Sequence, residues 1–202
     1  MFTGIVQGKF PLQSLQQEKG LLHAEIDMGS LSQDLNIGAS VAIAGVCLTV
    51  VETRGACVRF DVIQETLDKT TLGGLRVGQL VNVERSARVG DEIGGHRVSG
   101  HVTGTVTVRE RKESVNNCVL TFACDPSWME HLLPKGFVAL DGCSLTIVDV
   151  GSDWFTVHLI PETLRVTTFG ERRVGDKINL EFDPETQAIV ATVKRYLETK
   201  HL

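Results

Sequence analysis

Apolar and polar residues alternate through most of this chain, in short runs punctuated by glycine. Val81-Asn82-Val83-Glu84 alternates, and so does Val102-Thr103-Gly104-Thr105-Val106-Thr107-Val108. Leu48-Thr49-Val50-Val51 and Val58-Arg59-Phe60-Asp61-Val62 are β-branched or aromatic runs separated by a turn at Arg54-Gly55. A period of two puts successive side chains on opposite faces of a strand, so these runs predict half-buried β-strands. Helical patterning is confined to a few places. Ser30 to Leu35, and Ser127 to Leu133 behind Pro126, predict single helical turns. Near the C-terminal end Ile189, Val193 and Leu197 recur at helical spacing behind Asp183-Pro184, a capping residue and a proline suited to a first turn.

The strand pattern then repeats. Val41 to Glu52 returns as Val138 to Asp149, and the same offset of 97 positions carries Glu65-Thr66-Leu67 onto Glu162-Thr163-Leu164. It also carries Thr70-Thr71 onto Thr167-Thr168, Arg76-Val77-Gly78 onto Arg173-Val174-Gly175, and Asn82 and Glu84 onto Asn179 and Glu181. Over residues 41–84 the two copies agree at 18 of 44 positions. Many short strands, duplicated in tandem, predict an all-β chain of two small closed antiparallel barrels rather than a parallel α/β sheet. Closure removes exposed strand edges. The expected boundaries are 1–97 and 98–183 for the barrels and 184–202 for the helix. That helix has no counterpart after Glu84, so its apolar stripe is read as an oligomerisation element; the alternative is packing on its own barrel. The copies differ at Cys47 and Ser144, Ala44 and Asp141, and Asp61 and His158, which predicts two related ligands in differently equipped pockets.

Composition adds exclusions. With 25 acidic against 20 basic residues and a net charge of −5, and no basic stripe, recognition of nucleic acid by a charged face is not expected. No apolar run approaches the roughly 20 residues that span a bilayer. Met1-Phe2-Thr3-Gly4-Ile5-Val6 lacks the basic and apolar regions of a signal peptide. The expectation is therefore a cytoplasmic protein with no membrane partner. Five cysteines (Cys47, Cys57, Cys118, Cys124 and Cys143), none in a CxxC pair, fit free thiols better than disulfides or a zinc site.

Three features are candidates for chemistry. Cys47 is the most nucleophile-like side chain, although free cysteine is also among the commonest buried residues. The segment Gly90 to Val102 is glycine-rich and holds His96 and His101. It lacks the Gly-Lys-Ser/Thr ending and following helix of a phosphate cradle, and its histidines have no fixed metal-ligand geometry. It reads better as a connection entering a site, with His101 able to exchange protons near neutrality; the alternative is that both histidines satisfy local backbone groups. Finally, Cys47 and Thr49 in one copy, and Ser144 and Thr146 in the other, alternate with Leu48 and Leu145. This is either a polar outer face or a pocket wall that reads a polar heterocycle. Asp183 is a helix cap or a carboxylate near the second pocket.

The motifs MFTGIV at the start, GVCLTV at 45–50, GDEIGGHRVSGHV at 90–102, DGCSLTI at 141–147 and HLIPETL at 158–164 together resemble the riboflavin synthase family of duplicated lumazine-binding barrels. The resemblance runs essentially end to end and includes the C-terminal helix. It implies two six-stranded Greek-key barrels, a helix that joins three chains in a homotrimer, and a cofactor-independent transferase. Two molecules of 6,7-dimethyl-8-ribityllumazine would exchange a four-carbon unit to give riboflavin and 5-amino-6-ribitylaminouracil, the final step of riboflavin biosynthesis. Donor and acceptor are then the same molecule, which gives the duplication a physical reason. In the family the reacting pair lies between the N-terminal barrel of one subunit and the C-terminal barrel of its neighbour, and lumazine synthase is a further candidate partner.

The resemblance implies an N-barrel site of Phe2, the Gly4-Ile5-Val6 backbone, Ser40, Cys47, Leu48, Thr49, and Val62, Ile63, Gln64, Glu65 and Thr66. The C-barrel site would use Gly100, His101, Val102, Ser144, Leu145, Thr146, Ile160, Pro161, Glu162 and Thr163, with Lys135 reaching in from the adjoining subunit. Cys47 or a water beside it, helped by Ser40, would add to C7 of the acceptor. His101 with Thr146 would assist deprotonation of the donor's C7 methyl, Ser144 is a further catalytic candidate, and Asp141 and Asp183 would lend polar support, Asp183 counted with the catalytic set. Ala44 departs from the family, which often carries Asn or Asp there, and is expected to weaken the N-barrel site. Relatives that only bind lumazine or flavin lose key residues of these motifs; this chain keeps Ser40, Cys47, His101, Ser144, Thr146 and the helix.

Overall fold

The computed structural model describes residues 1–200. In the first copy β1 (Gly8–Glu18), β2 (Leu21–Asp27), β3 (Ser40–Ile43), β4 (Val46–Arg54), β5 (Cys57–Ile63) and β6 (Leu80–Arg85) close into a barrel in the order β1-β2-β5-β4-β3-β6. In the second, β7 (Gly104–Ser114), β8 (Asn117–Ala123), β9 (Phe137–Leu140), β10 (Cys143–Val150), β11 (Trp154–Leu159) and β12 (Lys177–Phe182) close in the corresponding order. All the strand pairings are antiparallel.

Even the irregularities are duplicated. The register shifts between Leu12 and Ser14 on β1 and between Val108 and Glu110 on β7. It shifts again between Val50 and Glu52 on β4 and between Ile147 and Val150 on β10. Such bulges bend a strand, and here they curl each sheet toward closure.

The period-two pattern does what it predicted. Leu48, Val50, Val58, Phe60 and Val62 point into the first barrel, and Leu120, Phe122, Leu145, Phe155 and Val157 into the second. Burying side chains of this size stabilises by about 1.5–3 kcal/mol each. The predicted helical turns appear as 3-10 turns at Gly29–Ser32 and Pro126–His131. Two six-residue helices, α1 (Gln64–Lys69) and α2 (Pro161–Val166), follow β5 and β11 and are too short to show an apolar period.

The barrels are joined by reciprocal contacts across an approximate two-fold axis. Phe2 and Val98 form an isolated antiparallel bridge, each backbone N–H donating to the other's carbonyl at 2.8 and 3.1 Å. Beyond the bridge the two arms cross. Residues 3–6 run onto the second barrel, where the Ser144 N–H donates to the Gly4 carbonyl at 2.8 Å and Val6 joins the core. Residues 99–102 run onto the first, where the Cys47 N–H donates to the Gly100 carbonyl at 2.9 Å and Val102 packs against the core. The strand expected from Val102 consequently begins at Gly104.

Buried carboxylates hold the arms. Glu84 accepts from the N–H and hydroxyl of Thr3 and the N–H of Gly4, and Glu181 accepts from Ser99 and Gly100 in the same manner. Asn82 donates to the Asp141 carbonyl and accepts from the Thr168 N–H, while Asn179 donates to the Ala44 carbonyl and accepts from the Thr71 N–H. The repeated Asn and Glu are thus the polar joint between the copies.

The final helix α3 (Pro184–Lys200) begins as its sequence predicted. The Asp183 carboxylate accepts from the Thr186 N–H at 2.9 Å and its hydroxyl at 2.7 Å. No described residue of α3 is buried, and Ile189, Val193, Tyr196 and Leu197 are each at least half exposed. The stripe therefore does not pack on its own barrel. Among the described residues no helix is long and apolar enough to cross a membrane.

Candidate functional site

Each barrel carries a candidate half-site on its outer wall. On β4 Leu48 faces the core, so Cys47 and Thr49 face out, half-buried and exposed respectively. Ser40 lies opposite Thr49 in the β3–β4 register. The crossing arm adds Gly100, His101 and Val102, and the β5–α1 junction adds Glu65 and Thr66; these residues with Cys47 line a cavity of about 220 Å³. Gly100 has to be glycine. Its φ is +83°, and a Cβ there would stand 2.5 Å from the Cβ of Cys47.

The second half-site is built alike from β10. Leu145 faces in, Ser144 is half-buried, and Thr146 is exposed. Here the arm is Gly4-Ile5, and a Cβ on Gly4 (φ +74°) would stand 2.5 Å from the Ser144 Cβ. Ile160, Pro161, Glu162 and Thr163 stand at the β11–α2 junction, which corresponds by the repeat to the β5–α1 junction of the first barrel. Phe137 takes the place of Ser40 opposite Thr146. Lys135 sits at φ +67°, where the first copy has Gly38 at +87°, and its N–H donates to the Ile147 carbonyl as the Gly38 N–H does to Val50. A lysine held in the left-handed region at an exposed turn is a strained choice of residue.

This arrangement reverses one expectation. Gly4, Ile5 and Val6 border Ser144 rather than Cys47, and Gly100, His101 and Val102 border Cys47 rather than Ser144. The cause is the Phe2–Val98 bridge, which sends each arm across the axis before it turns. Phe2 itself is 1 % exposed and packs among Ala42, Val98 and Ala139 with Cys47 beside it. The side chains of Phe2, Val6, Leu48, Val62 and Leu145 are interior, so only their backbones lie near the half-sites. Ile63 and Gln64 are exposed at the start of α1.

A lumazine binding domain model matches the chain twice, over residues 3–86 and 99–183. The riboflavin synthase of Escherichia coli (strain K12) is 46% identical over 202 residues, covering 99% of this chain and 95% of the relative. That of Chlamydia pneumoniae is 43% identical over 98% and 97% of the two chains, and that of Bacillus subtilis (strain 168) 36% identical over 91% and 85%. The chain belongs to the riboflavin synthase family. Its fold matches the crystal structure of LumP complexed with riboflavin at a TM-score of 0.84 and 24% identity, covering 90% of this chain and 99% of that one. LumP complexed with 6,7-dimethyl-8-(1'-D-ribityl) lumazine gives 0.82 at the same identity and coverage.

Within this riboflavin synthase fold the thiols separate cleanly. Burial pushes Cys143 up to about 12 and Cys124 up to about 11, and raises Cys118, so these stay protonated. Cys47 and Cys57 are half-buried, and of the two Cys47 lines the cavity. Asp183 has its carboxylate engaged by the α3 cap. Asp61 is held by His23 at 2.7 Å across the β2–β5 pair.

Ala44 lies in the joint rather than in the half-site. Asp141, its counterpart, is fully buried and is held by Arg172 at 2.7 Å and by the Asn179 N–H at 2.9 Å. Where the second copy has Arg172 the first has Leu75, so the acid and its partner are replaced together. The expected weakening of the N-barrel pocket therefore has no direct contact behind it.

Of the two histidines in the Gly90–Val102 segment, the sequence singles out His101, but it is His96 that lies at Ser144. His96 is 7 % exposed, its Nδ1 lies 2.6 Å from the Ser144 hydroxyl, and its ring stacks on Phe137. The glycine-rich segment marks a close backbone approach without saying to what; for His96 Nδ1 the partner is the Ser144 hydroxyl rather than a local backbone group.

Proposed function

We propose that this chain converts two molecules of 6,7-dimethyl-8-ribityllumazine into riboflavin and 5-amino-6-ribitylaminouracil, in the cytoplasm and without a cofactor. The carrying observation is full-length likeness to riboflavin synthases combined with two matched half-sites on one chain. A reaction between two copies of one molecule needs two similar cradles that face each other, and holding both reactants in place is itself worth many orders of magnitude in effective concentration.

The Cys47 half-site is open. A cavity of about 220 Å³ falls short of the roughly 300–1,000 Å³ that encloses a ligand of this size. A second wall is needed, and in our reading it is the other kind of half-site on a neighbouring subunit, brought there by α3 stripes packed in a homotrimer. The acceptor lies on the N-terminal barrel, where Cys47 or a water beside it, helped by Ser40, adds to C7. The donor lies on the neighbour's C-terminal barrel against Ser144 and Thr146, with Lys135 closing its edge. His101, carried by the crossing arm, sits on the acceptor side and meets the donor's C7 methyl across the subunit contact. Asp183 acts through the position of α3.

Incubating the purified protein with 6,7-dimethyl-8-ribityllumazine alone, and following riboflavin fluorescence, tests this. The expected result is one riboflavin for every two lumazines consumed. Saturable lumazine binding with no riboflavin would refute the reading and leave a binding protein.

A further inference from the structure

The two half-sites differ by more than a thiol and a hydroxyl. The second also holds His96, which lies on the linker between β6 and β7 and against the Ser144 hydroxyl. The linker delivers this histidine under tight constraint. A Cβ on Gly95 would stand 2.2 Å from the Thr3 carbonyl oxygen and 2.8 Å from the Ser144 Cβ, so only glycine threads between the N-terminal arm and β10. The next residue then stacks on Phe137, with ring centroids 5.1 Å apart and planes 11° from parallel. Phe137 is the residue that replaces Ser40. The position of Phe137 and the glycine at 95 together fix the ring with Nδ1 at the Ser144 hydroxyl.

We propose that His96 is a positioning residue for Ser144, its unprotonated Nδ1 accepting the hydroxyl proton so that Oγ turns its lone pairs to the ligand. This rests on the reading of the site given above. The 2.6 Å separation is shorter than the usual range of about 2.7–3.2 Å for an N–H donor and suits a hydroxyl donor. The proton of the neutral ring then sits on Nε2, which is buried and has no partner among the described residues. The C-terminal half-site thereby presents a hydrogen-bond acceptor where the N-terminal one presents the Cys47 thiol. An acceptor suits the donor molecule, whose C7 methyl gives up a proton. Burial holds the ring neutral, while Glu181 and Asp183 at the end of β12 pull toward the imidazolium. A proton on Nδ1 would convert it from acceptor to donor and abolish the arrangement, so turnover is lost as pH falls through a value below the ordinary histidine range of about 6.5.

The test combines nitrogen chemical shifts of 15N-histidine-labelled protein, read without substrate, with kinetics of four variants. The expected shifts place the proton on Nε2 and a hydrogen-bonded acceptor at Nδ1. His96→Ala is expected to lower kcat by about 10²-fold, the order of loss that misplacing a positioned group brings, with KM little changed. His96→Asn, whose amide oxygen can accept the same hydroxyl, recovers part of the rate and loses the acid limb. The His96→Ala/Ser144→Ala double variant is no slower than Ser144→Ala alone. A proton on Nδ1, or an unchanged kcat and acid limb in His96→Asn and His96→Ala, overturns the proposal. If the unaltered protein makes no riboflavin, the functional reading fails, whereas the substrate-free shifts still decide how His96 and Ser144 are arranged.

Discussion

At the scale of single residues, the half-sites depend on two glycines that ligand chemistry would not pick out. Gly4 and Gly100 have positive φ, and each backbone presses on the residue that the other barrel's β4 or β10 turns outward. A side chain there meets both backbone strain and a steric clash, a combination that costs about 1–3 kcal/mol. Because the arms cross, the functional damage falls on the opposite barrel. Gly100→Ala is expected to weaken lumazine binding at the Cys47 half-site and spare the Ser144 half-site, and Gly4→Ala to do the reverse. Two-site fluorescence titrations distinguish them; losses on the same barrel as the mutated arm would contradict the crossing. The outward pairs Cys47/Thr49 and Ser144/Thr146 were legible in the sequence because strand alternation separates them from Leu48 and Leu145. The pairing of arm with pocket was not, because it is set by one backbone bridge between Phe2 and Val98 that leaves no residue pattern.

Among the elements, the duplicated strands could be read directly from β-branched alternation and the 97-residue offset. The helices α1 and α2 could not, since six residues hold less than two turns. The joint was partly legible. Asn82 and Asn179 appeared as repeated polar residues, but their partners are backbone groups of the other barrel, which sequence comparison does not show. The joint also explains Ala44. An acid at that turn would be buried opposite Leu75 instead of an arginine, and an uncompensated buried charge costs about 3–5 kcal/mol. Ala44→Asp is expected to destabilise the protein by that order, and adding Leu75→Arg to restore much of it. Urea unfolding of the two single variants and the double variant reads the coupling directly; additive effects would mean that the Asp141–Arg172 pair has no transferable counterpart in the first barrel.

For the molecule as a whole, the features converge on an incomplete unit. Each chain offers two candidate half-sites of different chemistry and one helix whose apolar stripe is unpacked. Under the proposed function, a complete site takes its acceptor half from one chain and its donor half from the next. Complementation tests this most directly. Chains carrying Cys47→Ala and chains carrying Ser144→Ala are each expected to turn over lumazine slowly. Coexpressed, they are expected, on the proposed homotrimer, to form mixed assemblies in which the intact N-terminal half of one variant faces the intact C-terminal half of the other. The account predicts riboflavin formation well above the mean of the separately prepared variants. A mixed preparation no faster than that mean would place both halves of the site within a single chain and contradict it.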